Sequence, residues 1–130
     1  MNKAKQKEAN SGSPFLDPVR WINENDYAVA LRDTYPVSPG HTLIVPKRLV
    51  GSVFELTPIE VQGCWDLLSA EKKRLVDEFK PDGFNIGVNI GEAAGQTIWQ
   101  AHFHLIPRYR GDHSAPRGGV RAVIPGKANY

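Results

Sequence analysis

Two of the four histidines in this 130-residue chain stand two apart, His102 and His104, with Gln100 two residues before them. A neutral imidazole can attack an electrophile, move a proton or ligate a metal. Residues 97–106 are rich in β-branched and aromatic side chains and contain no Gly or Pro, which predicts a strand. Alternation along a strand puts Gln100, His102 and His104 on one face and Ala101, Phe103 and Leu105 on the other. A single solvated histidine would carry little weight. Two on one face, directly after the glycine-bounded loop 91–95, point to function, and composition alone leaves metal ligation and chemistry both open.

Such side chains need a rigid support. With 41% hydrophobic and 23% charged residues, the chain reads as one globular domain. A formal charge of +2 is too small to argue for nucleic acid or a membrane as partner. There is no apolar run of membrane-spanning length and no signal-peptide apolar core, and a single Cys64 excludes an internal disulfide or a paired-cysteine zinc site. A cytoplasmic location is expected. Residues 1–13 read as a disordered tail and residues 14–130 as the folded domain.

Residues 19–22 suit a short helical turn. Residues 27–32 and 41–45 read as an antiparallel strand pair, separated by a loop holding Pro36, Pro39 and Gly40; residues 50–54 are a weaker extended candidate. Thr57, Pro58 and Glu60 make a capping box with proline at the first helical position. The helix they start predicts one apolar face from Val61, Cys64, Trp65, Leu68, Leu75 and Phe79. It ends at Pro81, Asp82 and Gly83. In residues 84–90, Phe84, Ile86, Val88 and Ile90 face one way and Asn85, Gly87 and Asn89 the other. Strands around one long helix imply an α+β domain with a mainly antiparallel sheet. After Pro107 the chain is basic, with Arg108, Arg110, Arg117, Arg121 and Lys127 against Asp112, a solvated surface by composition.

The segment from Gly95 to Arg108, GQTIWQAHFHLIPR, resembles the signature strand of the histidine-triad (HIT) family of nucleotide hydrolases and transferases. The family pattern is His-φ-His-φ-His-φ-φ, with φ apolar. Gln100 stands at its first position, and His102 and His104 match the second and third. A second block, DTYPVSPGHTLIVPK from Asp33 to Lys47, resembles the family's first strand pair. The ending RGGVRAVIPGKANY is similar to bacterial diadenosine-polyphosphate-hydrolase-like members.

The resemblance implies a mainly antiparallel five-stranded sheet packed on one long helix, and a homodimer joined across a sheet edge. It implies hydrolysis or transfer at the α-phosphate of a dinucleoside polyphosphate or nucleoside phosphoramidate through a nucleotidyl-histidine. His102 would be the nucleophile and His104 a proton donor or an orienting group. His41 would support them, and Gln100 would hold the first triad position without titrating. Asp33 would take the ribose hydroxyls, while Asn89, Gln96 and Thr97 would hold phosphates. The ligand is then a small-molecule nucleotide, with no tightly bound cofactor and Mg²⁺ arriving only with the substrate. Two alternatives stand beside this: a nucleotide-binding protein with weak turnover because of Gln100, and a metal site built from His41, His102 and His104.

Overall fold

A computed structural model describes residues 13–130; the tail expected over residues 1–13 lies, Ser13 excepted, outside the described residues. In chain order the elements are β1 (Trp21–Glu24), β2 (Ala28–Arg32), β3 (Thr42–Pro46), α1 (Pro58–Phe79), β4 (Gly83–Gly87) and β5 (Phe103–Arg108). One antiparallel sheet joins the strands in the order β1-β2-β3-β5-β4.

Three expectations about elements are corrected. The fifth strand is β1, not residues 50–54; there Ser52 and Glu55 close a capping box around the 3-10 turn Val53–Glu55. The helical turn expected over 19–22 is the 3-10 turn Pro18–Arg20, and Trp21 already belongs to β1. The strand expected over 97–106 begins only at Phe103, because the Gln96 side chain holds residues 91–99 in a loop of its own.

Helix α1 starts as its sequence demands. Thr57 Oγ1 accepts from Glu60 N–H, Glu60 Oε1 accepts from Thr57 N–H at 2.9 Å, and Pro58 sits in the first turn. Arg48 grips the same Glu60 carboxylate through two nitrogens, and this pairing holds its pKa down at about 2. The buried face is offset from the expected one. Cys64, Leu67, Leu68 and Leu75 are buried, whereas Trp65 is 54% exposed and Val61 also faces outward. Gly63 is the position where the helix touches the sheet's first hairpin: a Cβ there would lie 2.6 Å from Tyr27 Cβ. Asn25 Nδ2 also donates to Gly63 O at 2.8 Å. Glu71, fully buried, ties the helix to β1 by accepting from Asn23 Nδ2 and Arg74 Nη1, both at 3.0 Å.

The two sheet faces carry separate apolar clusters. Ala28, Ala30, Ile44 and Leu105 pack with the helix, and Phe103 and Phe84 close that layer. Val29, Leu31, Leu43 and Val45 form the other face, covered by Phe15 with Leu16, Trp21 and Ile98. Register then decides which polar groups share this second face. Leu43 and Gly87 both pair with His104, so His104 emerges beside the Phe15 cluster and away from the helix. Beyond the Arg32↔Thr42 pair, Asp33 N–H donates to His41 O at 3.0 Å, which sets Asp33 and His41 opposite each other one step past the strands' ends. At the far end of β5, Arg108 is locked by Asp112 and Asn85, and the 3-10 turn Gly119–Val123 lies against β4.

Candidate active site

His102, His104, His41 and Asp33 form one cluster on the sheet face opposite the helix. The rings of His102 and His104 meet edge to face with centroids 4.9 Å apart. His41 Nε2 lies 2.9 Å from His104 Nδ1. Asp33 Oδ2 stands 3.5 Å from His41 Nε2 and 4.0 Å from His104 Nδ1. The Asx turn raised for Asp33 is present as well, since its Oδ1 accepts from Tyr35 N–H at 2.8 Å.

Two main-chain contacts determine where the ring protons sit. His102 Nδ1 lies 2.9 Å from Gln100 O. A carbonyl oxygen only accepts, so Nδ1 carries the proton and Nε2 keeps its lone pair. His41 Nδ1 accepts from Val37 N–H at 3.0 Å. Its proton is therefore on Nε2, from which it donates to His104 Nδ1, and His104 is left with its proton on Nε2. Adjacent imidazoles thus hold opposite tautomers: a lone pair on His102 Nε2 and an N–H on His104 Nε2. Among the described residues neither of these outer nitrogens has a hydrogen-bond partner.

Burial keeps all three rings neutral. Desolvation lowers the pKa of His102, opposed by its bond to the Gln100 carbonyl and by the charge of Asp33. His104 is pushed down to about 4, first by desolvation and then by His102 and His41. His41 is lowered by burial against the opposing pull of Asp33. Neutral rings are what a nitrogen nucleophile beside a hydrogen-bond donor requires.

The Gln100 side chain turns away from this cluster. It is 1% exposed, donates from Nε2 to Pro46 O at 2.9 Å and accepts from Ser13 Oγ at 2.6 Å. Only its carbonyl serves the histidines. Gln96 is similarly occupied, accepting from Gly91 N–H and donating to Gly51, Ile98 and Trp99 carbonyls at 2.9–3.2 Å. It builds the loop and keeps no free amide donor for a ligand. Asn89 and Thr97 are exposed, and β4 ends at Gly87, so Asn89 lies outside the strand expected over 84–90 and the structure records no pairing of it with His102. Two groups have no signal in the motif. Phe15, whose ring lies 4.9 Å from that of His102, stands far from the motif in sequence. The Val37 amide is main chain and carries no sequence mark.

Asp33, His41 and His104 are the set whose ligand atoms approach within 4.8 Å of one another, with His102 outside it. With Val37 N–H on Nδ1, His41 could offer Nε2 to a metal only by losing its last ring proton or breaking that bond. A cleft of about 320 Å³ at the start of α1, lined by Asn25, Tyr27, Ile59 and Gly63 among others, contains no histidine or cysteine.

Comparison with known proteins agrees with this geometry. The HIT domain family matches residues 17–111. The chain is 35% identical over 96 residues to Protein hit of Bacillus subtilis, covering 73% of this chain and 66% of that protein. It is 40% identical over 89 residues to a bis(5'-adenosyl)-triphosphatase of Dictyostelium discoideum, covering 67% of this chain and 58% of that one. The chain thus spans about two thirds or less of these relatives' length. A crystal structure of a HIT family protein from Bacillus anthracis superposes with a TM-score of 0.70 at 33% identity, covering 82% of this chain and 73% of that one. The five-stranded antiparallel sheet and the single long helix match the fold of these solved relatives, and the chain belongs to the HIT domain family.

Proposed function

We propose that this chain hydrolyses or transfers nucleotides at the α-phosphate through a nucleotidyl intermediate on His102. The observation that carries the reading is the pair of opposite tautomers on adjacent rings. His102 Nε2 would form the N–P bond as the P–O bond to the leaving phosphate breaks, or, in a phosphoramidate, as the P–N bond to the departing amine breaks. The ring becomes cationic when it is phosphorylated, and its Nδ1–H already points at the Gln100 carbonyl, a contact that strengthens with the charge. His104 Nε2–H is a donor for a phosphoryl or leaving-group oxygen as negative charge builds there. Water then cleaves the N–P bond, releasing the nucleotide and restoring the lone pair; another acceptor in its place gives transfer.

The substrate class is a dinucleoside polyphosphate or nucleoside phosphoramidate, supported by the name of the Dictyostelium relative. Mg²⁺ would arrive on the polyphosphate. Asp33 Oδ2 would meet the ribose hydroxyls, and Asn89 and Thr97 would supply donors to phosphate, with Gln96 shaping their loop. A homodimer fits the open edges at β1 and β4. The Gln100 side chain bonds to Pro46 O and Ser13 Oγ, which supports turnover over binding alone.

A panel of diadenosine polyphosphates, ADP and adenosine phosphoramidates, with products resolved chromatographically, tests this. The expected outcome is AMP formation by the wild type and none by His102→Ala, with AMP affinity kept within about tenfold. Undiminished hydrolysis by His102→Ala would overturn the covalent mechanism.

A further inference from the structure

We propose that the main-chain N–H of Val37 is a positioning group for this site, fixing the proton on His41 and, through it, the donor state of His104. His41 is buried and has two ring nitrogens with one proton between them. Without an outside constraint, the His41–His104 contact could run either way. His41 Nε2 could donate to His104 Nδ1, or His104 Nδ1 could donate to His41 Nε2. The second arrangement strips the proton from His104 Nε2 and removes the donor. Val37 N–H, 3.0 Å from His41 Nδ1, forbids it by occupying that lone pair. Asp33 Oδ2, 3.5 Å from His41 Nε2, favours the same direction.

The loop that carries Val37 is anchored on the side that follows it. Ser38 Oγ donates to Pro107 O at 2.6 Å, Tyr109 Oη donates to Pro39 O at 2.6 Å, and His41 N–H returns to Ser38 O at 3.1 Å. The Val37 side chain, in contrast, is 73% exposed. What this residue contributes is its amide.

The contribution to catalysis rests on the function proposed above; the tautomers do not. Two-bond ¹H–¹⁵N correlation spectra of the full chain at neutral pH should show Nδ1–H for His102 and Nε2–H for both His41 and His104. A coupling across the hydrogen bond should link the Val37 amide to His41 Nδ1. Val37→Pro removes the donor. It should populate the Nδ1–H form of His41 and lower kcat by about 10²-fold, with KM for the nucleotide little changed. A wild-type His41 found as Nδ1–H, or a folded Val37→Pro protein with wild-type tautomers and kcat, would overturn the proposal. Should that variant fail to fold, the wild-type spectrum still decides. Correct tautomers in a wild type that turns over no nucleotide would sink the proposed function and leave this inference standing.

Discussion

Replacing Gln100 by alanine separates what its side chain does from what its carbonyl does. The side chain is buried and bridges Ser13 to the end of β3, donating to Pro46 O at 2.9 Å. Truncation leaves Pro46 O unpaired in the interior, which costs about 1–3 kcal/mol. Ser13 Oγ is only part-buried and can turn to water, so its loss is worth at most about 1 kcal/mol. The vacated methylene adds about 0.8 kcal/mol. Together Gln100→Ala should lose roughly 2–5 kcal/mol, read as a drop in the urea midpoint at constant m and a fall in Tm of roughly 10–20 °C. The carbonyl that holds His102 Nδ1–H is untouched. Single-turnover rates at a temperature where the variant remains folded should therefore stay within about tenfold of wild type, a barrier change below about 1.4 kcal/mol. A hundredfold loss of rate in a protein of unchanged stability would show that the side chain acts in the chemistry and that this geometry has been misread.

Acidity should act on rate and stability in the same window. His102 must be unprotonated to attack and its pKa lies below 6.5, so kcat/KM should hold at pH 6.5 and fall only as the pH drops further. For stability, a histidine that binds its proton at about 6.5 unfolded but, as His104, at about 4 folded favours unfolding once the pH passes below 6.5. The loss should reach up to about 3 kcal/mol near pH 4 and begin above the range where carboxylates titrate, which urea midpoints between pH 7.5 and 5 would reveal. At Gly63, alanine should destabilise despite its better helix propensity. The gain is about 1 kcal/mol, whereas a Cβ 2.6 Å from Tyr27 Cβ forces backbone or ring to shift at a cost of about 1–3 kcal/mol. Chemical denaturation showing Gly63→Ala more stable than wild type would mean that the hairpin yields freely.

Much of the site could be read from the chain because it depends on local pattern. The alternation in residues 84–90 and 100–104 and the DTYPVSPGH block place His102, His104, His41 and Asp33 together once two strands pair. The capping box at Thr57 and Glu60 is written in three consecutive turns of sequence logic and forms as written. The misses have a different character. β1 is four residues long, at an edge and interrupted by a bulge between Trp21 and Asn23, so it shows no run of alternation to find. The helix face is rotated because Ala28 and Ala30 leave room under it for Leu67, a fact about the facing sheet and not about the helix. Gln96 and Gln100 carry the right chemistry for ligand contacts, yet buried carbonyls at Gly51, Trp99 and Pro46 claim their amides first.

The same competition explains how Gln can stand at the first triad position without dismantling the site. The nucleophile's tautomer depends on a peptide oxygen, which every residue supplies, provided the chain from Gln100 to His102 keeps its conformation. What the side chain contributes is stability at this point of the chain. It does so with one donor and one acceptor reaching opposite ways, to Pro46 O and Ser13 Oγ. A neutral amide suits this task better than a titrating ring: it offers both functions at once at any pH, and it carries no charge into a pocket that already burdens His104 with two neighbouring imidazoles. Proton placement in this site is thus set from the main chain, at Gln100 for the nucleophile and at Val37 for the donor, and the imidazoles read out what the backbone has fixed.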